Sequence, residues 1–511
     1  MKAVVVGTGA GALASALRLR AMGLDVDVFE ACPDPGGRAR TFNFHGHSFD
    51  AGPTVITAPW LFDELFALFG ERRPEHVEFL PCDPWYRLSY SDGSSLDLVP
   101  DPARQKDEIS RLCPADAYFY PSFLKHSEEL YRVGYEQLGA ADFTSFWSMI
   151  KAAPHLVRLG GFTSLWRHTA KYFRDPRVRQ AFSLQPLLVG GNPLNTTAIY
   201  GLIHAMERKG GIWFAKGGTS KLIEELVSLA KRHGVRFHFD STVNGFETDS
   251  IKRLVGVRYR HGDAQYSIPC DLGVWGGDPQ VGYSTLGSER LSLFEKMRLK
   301  TVASSMGLYV LYFKTSRRYP DVKHHTIVLS ERWESLLKEI FGGKKLPPDP
   351  SLYLHRPVAT DPSVALDDGE LFYVLAPVPH LGNFSSWETA EGAFRAKVLS
   401  ILEDRMLPGL SDSLVFAEAV DPRYFKKALL SPLGAGFSIA PTLSQSAWFR
   451  FHNRADKVKN LYFCGAGVHP GGGLPGVVTS AKVVESLVRR DYPGVCILPR
   501  VEDRVPQGAL A

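Results

Sequence analysis

The chain has few cysteines, and none are arranged for use. Cys32, Cys82, Cys113, Cys270, Cys464 and Cys496 are scattered singly over 511 residues, with no C-x-x-C pair. That excludes a zinc ribbon and a disulfide scaffold and fits a reducing, cytoplasmic setting. No apolar run approaches the ~20 residues that a membrane-spanning helix requires. No internal repeat, low-complexity tract, nucleophile triad or metal-ligand constellation is evident. The chain starts directly on an apolar strand, so no signal or transit peptide is expected. Acid is nearly missing from one window. Between Phe143 and Met206 the sole acid is Asp175, against Lys151, Arg158, Arg167, Lys171, Arg174, Arg177 and Arg179. Phe162, Trp166, Tyr172 and other bulky apolar groups alternate with these bases. That pattern suits an anionic lipid surface. It does not suit nucleic acid, for which no binding module is present.

The N-terminus carries the strongest positive signal. Val4-Val5-Val6 leads into Gly7-Thr8-Gly9-Ala10-Gly11-Ala12, then a helical stretch from about Leu13 to Met22, then Val26–Phe29 ending in Glu30. Strand, glycine turn, helix, strand and acid form the unit that holds the ADP half of a dinucleotide. Gly7 allows the tight turn, Gly9 the approach of the pyrophosphate, and the helix N-terminus presents N–H groups to it. Ala12 takes the third glycine position. Glu30, 21 residues after Gly9, can accept both ribose hydroxyls. The next residues select FAD over NAD: Pro35-Gly36-Gly37-Arg38 continues as FAD enzymes of the glutathione-reductase type do, with Arg38 near the phosphates.

Phe49-Asp50-Ala51-Gly52-Pro53-Thr54-Val55-Ile56-Thr57 follows. From here the chain resembles the phytoene desaturases, FAD enzymes of carotenoid synthesis, and most of all the bacterial type. The resemblance continues through Leu187–Pro193, Ile199–Leu222, Tyr373–Gly382, Leu443–Arg454 and Asn460–Lys482, in the family's order. It implies a cofactor cradle that also includes Gly52, Pro53, Thr54, Val243 (whose backbone meets adenine), Gly465 and Gly467. Gly476 and Val477 open the last helix and would offer N–H groups to the flavin. His469 would lie near the flavin, either handling protons or bonding the loop backbone. The resemblance departs in two places. Ser148 and Lys151 stand where relatives often have Asp and Arg; Lys151 keeps a charge, but Ser148 removes an acid-base candidate. Gly276-Gly277-Asp278 stands where relatives commonly have Asn-Ala-Asp.

The expected architecture is α/β: a glutathione-reductase-type FAD-binding Rossmann fold, a mixed-sheet substrate domain and a helical, membrane-contacting subdomain. The FAD domain is expected to be discontinuous, over 1–75, 215–280 and 455–493. The substrate domain covers 80–104 and 281–450, the helical part 105–214, and 494–511 is a tail. Tyr86–Val99 alternates around Asp92-Gly93 and predicts a hairpin. Gly307–Phe313 and Glu370–Pro377 predict strands, Leu461–Cys464 a strand, Val235–Phe239 another, and Val477–Val488 the closing helix. A helix through about His233 is expected to be capped by Thr219 or Ser220. The implied reaction removes hydride from a membrane-dissolved acyclic carotene to flavin, with quinone or oxygen as the final acceptor. The alternatives are a carotenoid isomerase, ketolase or terminal oxygenase, or a carotenoid carrier with a vestigial flavin site.

Overall fold

The computed structural model describes residues 1–141, 143, 154 and 157–494. Strand Lys2–Val6 is the middle strand of a five-stranded parallel sheet, ordered Leu461–Phe463, Leu272–Trp275, Lys2–Val6, Asp25–Phe29, Arg236–His238. Layers on both faces explain its composition: Val4, Val5, Val26, Val28 and Val274 are all buried. Asp27 is the charged exception. It pairs with Arg236 and His238 of the neighbouring strand, each at 2.8 Å. Burial opposes its ionisation, but those hydrogen bonds outweigh it and hold the carboxyl at about 2.

Helix Ala10–Ala21 packs on this sheet beside the closing helix Leu474–Asp491. It begins three residues before the expected Leu13. Gly11 explains why: a Cβ there would lie 2.9 Å from the Val477 carbonyl oxygen and 3.2 Å from Gly465 Cα. Tertiary packing thus keeps a poor helix former inside the first turn. Buried Arg18 fastens the layer, donating to Glu64 of helix Trp60–Ala67 and to Glu485 of the closing helix, both at 2.7 Å. Helix Thr219–Arg232 starts where expected, but neither Thr219 nor Ser220 caps it. Asp50 does so from afar, accepting from the Thr219 N–H at 3.0 Å and the Ser220 N–H at 2.9 Å. A carboxylate is favoured at a helix N-terminus, but these donors only partly counter the burial that raises the Asp50 pKa.

A seven-stranded mixed sheet runs Leu414–Val420, Gly307–Thr315, Glu370–Val378, Leu352–His355, His325–Val328, Tyr86–Ser89, Ser95–Leu98. Only His325–Val328 and Tyr86–Ser89 pair in parallel. The expected hairpin is its edge, turning where Asp92 Oδ1 accepts from the Ser94 N–H at 2.9 Å. Side chains alternate across the long central strand. Tyr309, Leu311 and Phe313 pack with Trp387, Phe394 and Leu402 of helix Trp387–Arg405. Leu308, Val310 and Tyr312 join Tyr373 and Phe425 on the other face. A three-stranded meander, Ser241–Thr248, Leu254–His261 and Ala264–Pro269, sits beside the parallel sheet.

The stretch expected to be helical contains Pro102–Leu112, Pro114–Tyr131, Leu165–Thr169, Pro176–Ala181 and Leu202–Gly210. Its end is not helical: Trp213–Ala215, overlapping the expected bound at 214, pairs with Phe79–Pro81 in a small separate sheet. Ser148, Lys151 and residues 495–511 of the tail lie outside the described residues. Among the described residues, no helix is long and apolar enough to cross a membrane.

Candidate active site

A cavity of about 590 Å3 is lined by both the N-terminal glycine turn and an apolar chamber. The turn side collects Gly7, Gly9, Gly11, Glu30, Gly37, Arg38, Gly52, Pro53, Thr54, Val243, Gly465, Gly476 and Val477. Thirteen of the expected cradle residues, separated by up to 470 positions in the chain, thus meet around one space. Ala12 and Gly467 do not line it. The Ala12 Cβ instead packs where a side chain on Gly276 would stand, and Gly467 packs against Pro279 and Ser438. Both serve close packing behind the cradle.

The cradle is shaped to receive a phosphorylated ligand. A Cβ on Gly9 would meet nothing within 4 Å, so the backbone there faces open space. Glu30 Oε2 accepts from the Thr8 N–H at 2.9 Å and the Thr8 hydroxyl at 2.6 Å, and Oε1 accepts from the Cys32 N–H at 2.9 Å. Those bonds fix the carboxylate at the carboxyl end of strand Asp25–Phe29, and it still lines the cavity. Arg38 Nε donates to the Gly436 carbonyl at 2.6 Å, and Nη2 to the Ser431 hydroxyl at 3.1 Å and the Ala435 carbonyl at 3.3 Å. Its Nη1 makes no hydrogen bond among the described residues, which leaves a fixed cationic donor at the cavity. Burial lowers the Arg38 pKa, partly countered by Asp278.

At the start of the last helix, the Val477 N–H already donates to the Gly473 carbonyl at 3.0 Å, so it is not the free donor expected of it. The first helical turn has orphan N–H groups. Since Pro475 lacks one, Leu474 and Gly476 are the residues that present them. His469 lines the cavity, its Nε2 lies 3.0 Å from the Leu138 carbonyl, and its ring meets Phe143 edge-on at 4.8 Å. Lys151 lies outside the described residues. Burial pushes the Cys464 thiol up to about 12, which makes it packing and not a redox group.

Arg450 holds this loop, and sequence reasoning assigned it no role. It is 1% exposed. Its Nε donates to the Val468 carbonyl at 3.0 Å, Nη1 to Gln445 at 3.0 Å and Nη2 to Ala466 at 2.6 Å. The available signal was a lone charge in the apolar run Trp448-Phe449-Arg450-Phe451. Thr54 was expected only in the cradle. Its hydroxyl also meets those of Tyr353 (2.8 Å) and Tyr373 (2.9 Å), and Tyr373 donates to the Gly52 carbonyl at 2.8 Å. The cradle is thereby tied to the seven-stranded sheet. The rest of the cavity wall is mostly apolar, including Leu187, Ile203, Met206, Leu308, Ile327 and Leu375.

A model of the flavin-containing amine oxidoreductases matches residues 13–281. The chain is 41% identical over 491 residues to a lycopene-forming phytoene desaturase of Paracoccus sp., covering 96% of this chain and 97% of that one. The chain belongs to the phytoene desaturases, within the flavin-containing amine oxidoreductases. Other members include the lycopene-forming enzyme of Pantoea ananas (40% identity, 95% and 99% covered) and the neurosporene-forming enzyme of Cereibacter sphaeroides (37%, 95% and 94%). Among solved structures, putrescine oxidase bound to putrescine superposes with a TM-score of 0.63 at 14% identity, covering 96% of this chain and 99% of that one. Cyclohexylamine oxidase of Brevibacterium oxydans gives 0.59 at 15%, covering 96% and 99%. These two establish the α/β amine-oxidase-like fold with mixed sheets. The protein is an FAD-dependent oxidoreductase, and the open glycine turn, the spare Arg38 donor and the free helix-start N–H groups fit that cofactor.

Proposed function

We propose that this protein desaturates phytoene or a closely related acyclic carotene. The observation that carries the reading is that one cavity joins a dinucleotide cradle to an apolar chamber. A carotene has no polar handle, so it must be held by apolar area and shape alone. Bound FAD supplies a two-electron acceptor for the hydride that leaves an allylic carbon. The protein's part is to grip that cofactor at Glu30, Arg38 and the start of helix Leu474–Asp491, and to exclude water from the chamber. Relatives named lycopene-forming and neurosporene-forming match this chain at 37–41% identity over nearly its full length, which supports the substrate class. Expressed in cells that accumulate phytoene, the protein should convert it to longer-wavelength products, each two hydrogens lighter per step. A spectral shift at constant mass would instead identify an isomerase, and a gain of oxygen a ketolase or oxygenase.

The domain division proposed is 1–75, 215–280 and 455–493 around the parallel sheet, 80–104 and 281–450 around the mixed sheet, and 105–214 as a helical unit. The sheet memberships support it, except that Phe79–Pro81 and Trp213–Ala215 bridge the units. With one nucleotide fingerprint in the chain, the proposed electron acceptor is quinone or oxygen and not NAD(P). For His469, the contact to the Leu138 carbonyl, which lies outside its own loop, supports a structural, backbone-bonding role over proton handling.

The helical unit is proposed to rest on anionic lipid, peripherally and from the cytoplasmic side. Tyr118 (76% exposed), Phe162 (68%) and Val157 (55%) present large apolar groups to solvent. Arg158 pairs with Glu129, Arg177 with Asp175 and Asp92, and Arg179 covers the Trp166 ring. Arg167, Lys171 and Arg174 make no ion pair among the described residues and are left for headgroups. Each contributes roughly 1 kcal/mol near such a surface, screened by salt. Replacing all three with glutamine should weaken co-sedimentation with anionic vesicles by about 10- to 100-fold at low salt while leaving flavin absorbance intact. Equal sedimentation of variant and parent would contradict the lipid reading.

A further inference from the structure

Helix Leu202–Gly210 turns one face to the cavity: Leu202, Ile203, Met206 and Glu207 all line it. Three are apolar and the fourth carries a carboxyl group. Glu207 is 1% exposed. Its Oε1 accepts from the Tyr86 hydroxyl at 3.2 Å, and Tyr86 also lines the cavity. Its Oε2 is buried and has no hydrogen-bond partner. A buried carboxyl oxygen without a partner is costly and uncommon. The adjacent Arg208 does not relieve it. That guanidinium donates to the carbonyls of Val99 (2.7 Å) and Pro100 (2.6 Å) and to the Tyr120 hydroxyl (2.6 Å).

The other carboxylates lining the cavity are committed elsewhere. Glu30 is held by Thr8 and Cys32. Asp278 accepts from the Ser438 hydroxyl at 2.6 Å and the Gln280 N–H at 2.9 Å. Among the described residues, Glu207 is the cavity-lining carboxyl with an oxygen that no protein group satisfies, and because that oxygen is closed off from the cavity itself, the carboxyl must turn on its terminal bond to meet a ligand that itself offers no hydrogen bond. A hydrocarbon substrate is such a ligand, and it has one thing to give a carboxylate: a proton from carbon.

We propose that Glu207 is the proton acceptor of the desaturation, taking the proton from the carbon next to the one that loses hydride. The inference rests on the desaturase reading above. As hydride leaves the allylic carbon for bound FAD with both electrons of its C–H bond, the neighbouring C–H bond breaks. Its electron pair becomes the new π bond, and its proton goes to the Glu207 carboxylate. The resulting carboxylic acid returns the proton to water when product leaves. The role is the one for which Ser148 supplies no group.

The groups facing Glu207 set its titration. They are Tyr86 from strand Tyr86–Ser89, Arg208 on its own helix and, beyond Arg208, Tyr120 of helix Pro114–Tyr131. Burial pushes the Glu207 carboxyl up to about 8, against the opposing effects of the Tyr86 hydrogen bond and the Arg208 charge. A base with a pKa near the working pH is well matched to proton abstraction. The acceptor is the ionised form, so the rate should rise with pH and level off above about 8.

The test uses FAD-loaded protein and phytoene in liposomes, without oxygen, following flavin absorbance over one turnover across pH. Wild type should show the rising limb. Glu207→Gln should slow flavin reduction by ~10²- to 10⁴-fold and flatten the profile. Tyr86→Phe removes a hydrogen bond that favours the carboxylate, so its midpoint should move upward. Independently of turnover, infrared difference spectra of wild type should show a protonated-carboxyl band that disappears with the same midpoint and is missing from Glu207→Gln. If Glu207→Gln fails to retain FAD, Glu207→Asp and Tyr86→Phe carry the same readouts. A Glu207→Gln protein with wild-type rate and pH profile, or no titrating carboxyl band in wild type, overturns the assignment. Absence of flavin reduction in wild type with any acyclic carotene overturns the desaturase reading, and the assignment with it.

Discussion

Replacing Arg450 with methionine is expected to release FAD and to lower stability by about 3–5 kcal/mol. The guanidinium is buried and donates to three backbone carbonyls, of Gln445, Ala466 and Val468. Two of these belong to the loop Gly465–Val468, which leads from strand Leu461–Phe463 towards the last helix. Hydrogen bonds from a charged group contribute about 1.5–3 kcal/mol each but do not add fully, and the orphaned carbonyls keep their desolvation cost. Burial lowers the Arg450 pKa, with Tyr200 and Asp278 acting against it. Methionine fills the volume and removes all of these bonds. Arg450→Lys keeps the charge but not the planar fork, so it should recover part of the loss. Urea unfolding and flavin retained through gel filtration read both effects. An unchanged midpoint with full flavin content would show that the loop does not depend on Arg450.

The second large effect is expected from Glu30→Ala. A lost charged hydrogen bond to the ribose costs ~1–3 kcal/mol, which raises the FAD Kd by about 5- to 150-fold. The structure adds a second reason for the loss. Glu30 also accepts from Thr8 and Cys32. Removing it loosens the glycine turn that meets the pyrophosphate. Titration of the apoprotein with FAD, followed by flavin fluorescence, measures the change. An unchanged Kd would remove Glu30 from the cradle.

The local pattern of the cradle was legible because its cause is local. A valine run buried on both faces, a turn that needs glycine and an acid at the next strand's end are all set within 30 residues. The long strands Gly307–Thr315 and Glu370–Val378 were legible for the same reason. What was missed depends on contacts between distant parts of the chain. Asp50 caps a helix 169 residues away, so no reading of Thr219 or Ser220 could reveal that the cap was already supplied. The family likeness implies Val477 as a flavin donor, but the helix starts at Leu474 and places the Val477 N–H inside the helical ladder. Arg450 and Glu207 sat in motifs recognised by likeness alone. Their roles come from which carbonyls surround one and from the lack of any partner at one oxygen of the other, neither of which periodicity or spacing carries.

The most direct test of the central claim is made without oxygen. FAD-loaded protein is mixed with phytoene in liposomes, and the oxidised flavin band is followed. The account predicts near-stoichiometric bleaching together with a product two hydrogens lighter, and recovery of the band on adding quinone or oxygen but not NAD. A band that stays oxidised with phytoene and every other acyclic carotene, in protein fully loaded with FAD, would contradict it.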